Sequence, residues 1–279
     1  MSLTRRDMIA GLAASVPLAA NAGVTGHIRP HPRPEWLRAD STVPGAEILA
    51  ESGLAAITGF ALRDLSSGEM LAEHRPAAEI PPASVSKVLT TLYGIDALGT
   101  DYRFRTEVAV TGAIIGGRLQ GDLYLVGGGD PNMDTDGLAD LAVKLAGAGI
   151  RQVDGNAYIY SAALPFQRSI DPTQPVHAGY NPSISGTNLN FNRVRLEWKP
   201  DGQGDTLTTL TARGTRYDPQ VSSVGLELAD RRSPVFDYRS AEGRDVWSVA
   251  APALRGKGAR WLPVRCPQLY AAEVFGIVA

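Results

Sequence analysis

Two consecutive prolines, Pro81 and Pro82, constrain this chain more than any other feature. Neither offers a backbone N–H, and each restricts the residue before it, so helix and strand both stop there. Before the break, Leu54 to Asp64 is apolar and strand-compatible, Ser66-Ser67-Gly68 marks a turn, and Met70 to His74 returns, which predicts a β-hairpin. After it, Ser84 opens a segment with Val88, Leu89, Leu92, Ile95 and Leu98 at helical spacing, ending at Gly99.

Past Gly99 the pattern changes to short strand-like runs rich in glycine. Thr106 to Thr111 and Arg118 to Val126 read as strands, and Gly127-Gly128-Gly129-Asp130-Pro131 as a turn. A second helix follows, with Asp136 as its expected cap, Leu138, Leu141, Ala142 and Leu145 as its buried stripe, and Gly147 and Gly149 closing it. Tyr158 to Tyr160, Phe191 to Trp198, Thr206 to Ala212 and Val224 to Leu228 read as further strands. Separate helices and strands without a regular repeat predict an α+β chain.

The first 22 residues read as an export signal: Arg5-Arg6, an uncharged stretch from Met8 to Ala20, and Ala20-Asn21-Ala22 as a small-x-small cleavage site. Adjacent arginines after Thr4 fit the twin-arginine route, and the apolar stretch fits the general secretory route equally. The expected location is therefore exported and periplasmic, compatible with the membrane periphery. The segment from Gly23 to Pro34 reads as a linker, and its prolines argue against His27 and His31 sharing a metal on a helix face. A net charge of -2 gives no field to attract a phosphate backbone, which argues against nucleic acid. A single cysteine, Cys266, excludes an intramolecular disulfide and a multi-thiolate zinc site.

Ser84-Val85-Ser86-Lys87 is the feature with the clearest chemistry. Residues three apart share a helix face, which sets the lysine amine beside the serine hydroxyl. A lysine freed of water can take the serine proton and make it a nucleophile. The same residues also fit a capping serine and a solvated lysine, and local sequence leaves the two readings open. Asn132, Asp134, Asp136, Gly137 and Asp140 have calcium-loop-like spacing, but Val143 stands where the closing glutamate belongs, so a turn feeding a capped helix is expected. Asn188, Asn190 and Asn192 alternate with Leu189 and Phe191 as in a half-exposed strand, with a structural role.

Pro82-Ala83-Ser84-Val85-Ser86-Lys87 resembles the first active-site motif of serine penicillin-binding proteins. Gly121 through Pro131, and Gly179 through Val194, resemble the large insertion of the D-alanyl-D-alanine carboxypeptidase/endopeptidases, the low-molecular-mass class C penicillin-binding proteins. The resemblance implies a partial transpeptidase-like domain of the penicillin-binding-protein/β-lactamase type, interrupted by a β-rich α/β insertion. Its implied layout is a signal peptide over 1–22, the N-terminal part of the transpeptidase-like domain over 23–106, the insertion over 107–245, and the start of the return over 246–279.

In such enzymes Ser84 would be the catalytic nucleophile and Lys87 its base, with no metal or organic cofactor. The implied partners are peptidoglycan stem peptides, with β-lactams as acylating inhibitors. The family's Ser-x-Asn and Lys-Thr-Gly-type motifs are not found in these 279 residues, so the reading expects a C-terminally truncated chain of doubtful activity. Loss of the strands that carry those motifs would leave an exposed apolar face and unpaired sheet edges. Two rival readings are an inactive remnant or binding module for peptidoglycan or a partner, and a serine β-lactamase, which would not carry the insertion-like segments.

Overall fold

The computed structural model describes residues 45–203 and 205–279, so the expected export signal and linker, with His27 and His31, lie outside the described residues. The described chain forms two compact units, 45–102 and 103–279.

The first unit contains α1 (Gly45–Ser52), the strands β1 (Phe60–Arg63) and β2 (Met70–His74), a 3-10 turn (Ala83–Val85) and α2 (Ser86–Leu98). β1 and β2 pair antiparallel from Phe60 opposite His74 to Arg63 opposite Met70. The hairpin turn is fixed by Asp64, whose Oδ1 accepts from the Ser66 and Ser67 backbone N–H groups and from the Ser66 hydroxyl. The Ser66 hydroxyl bond, with the backbone bonds, holds the Asp64 carboxyl down at about 2. β1 starts later than the apolar run predicts, because the Ile57 N–H closes a turn onto the Leu54 carbonyl.

α2 has the predicted helical spacing, but its apolar stripe is not covered by the described residues. Val88, Leu89, Leu92, Ile95 and Leu98 are all exposed, Leu89 at 72%. Periodicity reports which side chains share a face; whether anything packs on that face is a separate matter.

The second unit holds four three-stranded sheets and two helices. Its elements in order are β3 (Thr106–Val110), β4 (Ala113–Ile115), β5 (Arg118–Gln120), β6 (Leu123–Gly127), α3 (Thr135–Gly147), β7 (Gln152–Val153) and β8 (Ala157–Tyr160). There follow β9 (Arg193–Pro200), β10 (Thr206–Thr211), β11 (Val224–Ala229), β12 (Phe236–Ala241), β13 (Arg244–Ala250), β14 (Gly258–Pro263) and α4 (Pro267–Val278). The sheet orders are β3-β6-β8, β4-β5-β7, β10-β9-β14 and β11-β13-β12. Leu125, Leu138, Leu189, Leu196, Trp247, Leu262, Tyr270 and Val274 are buried in one shared core. The segment 246–279 contributes β14, paired with β9, and α4, packed on α3.

The predicted run from Arg118 to Val126 is two strands. The chain bends at Gly121-Asp122, where a side chain on Gly121 would collide with the Thr111 carbonyl, and the Asp122 carboxylate accepts the Asn156 N–H at 2.8 Å. Gly128 is required for a similar reason, since its backbone lies against the Arg105 carbonyl that accepts its N–H.

Two sequence expectations are corrected. The cap of α3 is Asp134, whose Oδ1 accepts the Gly137 N–H at 2.8 Å, and not Asp136. Asp136 sits inside the first turn, and its carboxylate accepts the backbone N–H groups of Thr215, Arg216 and Tyr217. It therefore ties the loop after β10 to the start of α3. Of the three carboxylates in the calcium-like spacing, Asp134 and Asp136 are thus engaged by backbone donors and Asp140 by the Arg216 guanidinium at 2.8 Å.

Residues 188–192 are also not a strand. Asn190, Phe191 and Asn192 have φ of 51°, 59° and 50°, a left-handed run that costs L-residues roughly 1–2 kcal/mol each. Buried hydrogen bonds compensate. Asn190 accepts the Thr135 N–H and donates to Thr135 Oγ1 and the Tyr270 hydroxyl oxygen. Asn192 accepts the Leu189 N–H and donates to the Ser183 carbonyl and Asn188 Oδ1. The asparagines point inward, and Phe191 is left 55% exposed.

Candidate active site

Ser84 is placed by the proline break and the turn behind it. Pro82 precedes the 3-10 turn Ala83–Val85, and Ala83 takes φ of 44°, a conformation rare for alanine. The turn is held by the Val85 N–H on the Pro82 carbonyl at 2.9 Å and the Ser86 hydroxyl on the Ala83 carbonyl at 2.7 Å. The chain passes directly into α2 at Ser86, so Ser84 stands one residue pair ahead of a 13-residue helix.

Lys87, in the first turn of α2, donates from Nζ to Ser84 Oγ at 2.9 Å. The two residues that the sequence singles out are therefore in direct contact, through the i, i+3 geometry of the turn. Both are exposed. The unit supplies the hydrogen-bond geometry of a nucleophile–base pair, while the described residues do not bury the lysine. Among the described residues no group of three or more histidine, cysteine, aspartate or glutamate side chains is arranged to hold a metal ion.

A serine hydrogen-bonded to a lysine three residues on, behind a strained turn at a helix start, is an arrangement suited to acyl transfer: the hydroxyl can attack a carbonyl while the amine takes its proton. The family follows from comparison. The model of the D-Ala-D-Ala carboxypeptidase 3 (S13) family matches residues 46–231, which include Ser84 and Lys87, and the chain belongs to that family.

The chain is 30% identical over 191 residues to the D-alanyl-D-alanine carboxypeptidase of Actinomadura sp. (strain R39), covering 67% of this chain and 31% of that protein. It is 28% identical over 98 residues to D-alanyl-D-alanine carboxypeptidase DacB of Haemophilus influenzae, covering 35% of this chain and 20% of that one. The crystal structure of penicillin binding protein 4 (dacB) from Haemophilus influenzae superimposes with a TM-score of 0.59 at 18% identity, over 79% of this chain and 49% of that chain. A second structure of that protein, complexed with a β-lactam, gives 0.52 at 17% identity, over 82% and 51%. The fold is thus mixed α/β and similar to that protein over part of its chain. This chain spans about a third or less of the length of the curated relatives and about half of the solved ones.

Proposed function

We propose that Ser84 is the nucleophile and Lys87 the general base of a serine D-Ala-D-Ala carboxypeptidase/endopeptidase that acts on peptidoglycan stem peptides. The observation that carries this reading is the 2.9 Å bond from Lys87 Nζ to Ser84 Oγ, in a chain of the S13 family. Ser84 Oγ attacks the carbonyl of the penultimate D-alanine, and Lys87, in its neutral form, takes the hydroxyl proton. Collapse of the tetrahedral adduct breaks the peptide bond. The proton passes to the departing amine of the terminal D-alanine, and water then hydrolyses the Ser84 ester.

Because a β-lactam presents a strained amide to the same nucleophile, it is expected to acylate Ser84. The β-lactam complex described for the solved relative supports that expectation. The division at residue 106 into a catalytic part and an insertion over 107–245 belongs to this reading, as does 246–279 as the start of the return. The two compact units support a division close to that residue. Export to the periplasm is part of the same proposal, since the substrate lies outside the cytoplasmic membrane.

The test is release of D-alanine from a D-Ala-D-Ala pentapeptide by the purified chain, against Ser84→Ala. Ser84-dependent release supports the reading. One observation favours a second reading, a peptidoglycan-binding module with an idle serine: both members of the pair are exposed. A folded chain that binds peptidoglycan but releases no D-alanine would decide for that alternative.

A further inference from the structure

The sheet β10-β9-β14 has two unlike faces. Val194, Leu196, Leu210 and Leu262 are buried on one. On the other, the register places Thr211 opposite Arg195 and Arg195 opposite Trp261, with Arg193 two residues along β9. The guanidinium of Arg193 lies 4.9 Å from the Phe191 ring centroid and 5.2 Å from that of Trp261, and that of Arg195 lies 5.4 Å from Trp261. Two guanidinium groups thus share one indole, and the left-handed turn at 190–192 holds an exposed phenyl ring beside them.

The hydrogen bonding of this face is incomplete. Among the described residues the Arg193 guanidinium donates to no acceptor and pairs with no carboxylate, and its Nε is buried without a partner. Arg195 uses only Nε, toward Glu197 at 3.2 Å. Thr211, in the same cross-strand row, has a buried hydroxyl without a partner. The nearby carboxylates are already engaged, Glu197 by Arg195 and by Arg213 at 3.0 Å, and Asp218 by Arg213 at 3.9 Å. Counting the face, Arg193, Arg195 and Arg213 meet Glu197 and Asp218, and Arg193 is the charge left over. A guanidinium stacked on aromatic rings keeps its edge donors free, in the fork that fits a carboxylate. Desolvation of Arg193, which works against its charge, is relieved by such a counter-ion.

We infer that Arg193 and Arg195, held on Phe191 and Trp261, form a docking platform for a carboxylate of a peptidoglycan stem peptide. A single unpaired guanidinium flanked by apolar rings suits one carboxylate with adjoining alkyl groups. It suits a polyanion poorly, because the chain as a whole carries a net charge of -2. The choice of stem peptide rests on the proposed function. The platform lies in the second unit and uses neither Ser84 nor Lys87.

The experiment is calorimetric titration of the chain carrying Ser84→Ala with a soluble muropeptide whose stem carboxylates are free, and with the same muropeptide amidated. Binding of the free form is expected, weakened about tenfold or more by amidation and by Arg193→Gln, the scale of one charge-assisted hydrogen bond. Phe191→Ser, a change at an exposed ring, should also weaken binding while leaving the unfolding midpoint in place, which covers the case in which Arg193→Gln fails to fold. Equal affinity for the two muropeptides, no binding by the parent chain, or binding unmoved by both substitutions would overturn the inference. So would displacement by inorganic polyphosphate at lower concentration than by free muropeptide, since that marks general anion binding. Penicillin acylation is scored separately in the chain that retains Ser84, with and without Arg193→Gln, so loss of the platform and loss of the proposed activity give different results.

Discussion

Lys87 Nζ donates to Ser84 Oγ across 2.9 Å, with the two residues on successive parts of one turn. The lysine is thereby positioned to take the serine proton without any further rearrangement of the backbone. Lys87→Ala is expected to slow β-lactam acylation of Ser84 by about 10²–10⁴-fold, the usual range for a general base, with little change in unfolding because both side chains are exposed. Single-turnover acylation monitored by mass spectrometry, beside urea unfolding, checks both parts.

Asp136 joins two distant pieces of the second unit by accepting backbone N–H groups from residues 215–217. Asp136→Ala should destabilise that unit by about 1.5–3 kcal/mol, as expected when donors to a charged acceptor lose it. Tryptophan fluorescence during urea unfolding reports the change, since Trp198, Trp247 and Trp261 all lie there.

Acid should weaken the same unit. Burial alone would raise the Asp136 carboxyl, but the N–H groups of Arg216, Thr215 and Tyr217 outweigh it and hold it below the usual carboxylate value. At Glu273 burial again opposes, and the hydroxyl and N–H donors of Ser222 and Ser223 again prevail. A carboxyl depressed in the folded state stabilises it fully above the unfolded value, near 4, and the contribution is lost as pH falls through the folded value. Urea midpoints should therefore fall on acidification below about pH 4, and less steeply in Asp136→Asn.

Asn190 closes the left-handed turn onto Thr135 and Tyr270, 55 and 80 residues away in sequence. Asn190→Ala would leave those partners unsatisfied and put alanine at positive φ, for a loss of about 2–4 kcal/mol. Asn190→Gly should recover part of it, because glycine accepts the backbone conformation. Paired unfolding curves of the two variants separate the two contributions.

Cys266 should be inert in the native protein. Burial, with Asp245 beside it, pushes its thiol up to about 11, so little thiolate exists at neutral pH. Iodoacetamide labelling at pH 7.5 is expected only after denaturant is added.

Legibility from sequence tracked how local each cause is. The hairpin, α2 and α3 are set by turn residues and helical spacing, and Ser84 with Lys87 by an i, i+3 relation, so all were readable in the chain. The inward turn of Asn190 and Asn192 depends on Thr135, Tyr270 and Ser183, which no local pattern connects to them. Asp134 and Asp136 lie two apart, and only the position of residues 215–217 decides which one caps. In β12, Phe236-Asp237-Tyr238-Arg239 alternates apolar and charged residues, so that strand is locally legible; α4 is less so, because it is apolar on most sides. The resemblance carried by Pro82 through Lys87 and by the glycine-rich segments agreed with the S13 family match.

The most direct test of the central claim is the intact mass of residues 23–279 before and after penicillin, with Ser84→Ala alongside. A mass increase equal to one penicillin, present in the parent chain and absent in Ser84→Ala, is the predicted result. Folded, soluble protein whose mass does not change would contradict Ser84 as a working nucleophile in this chain.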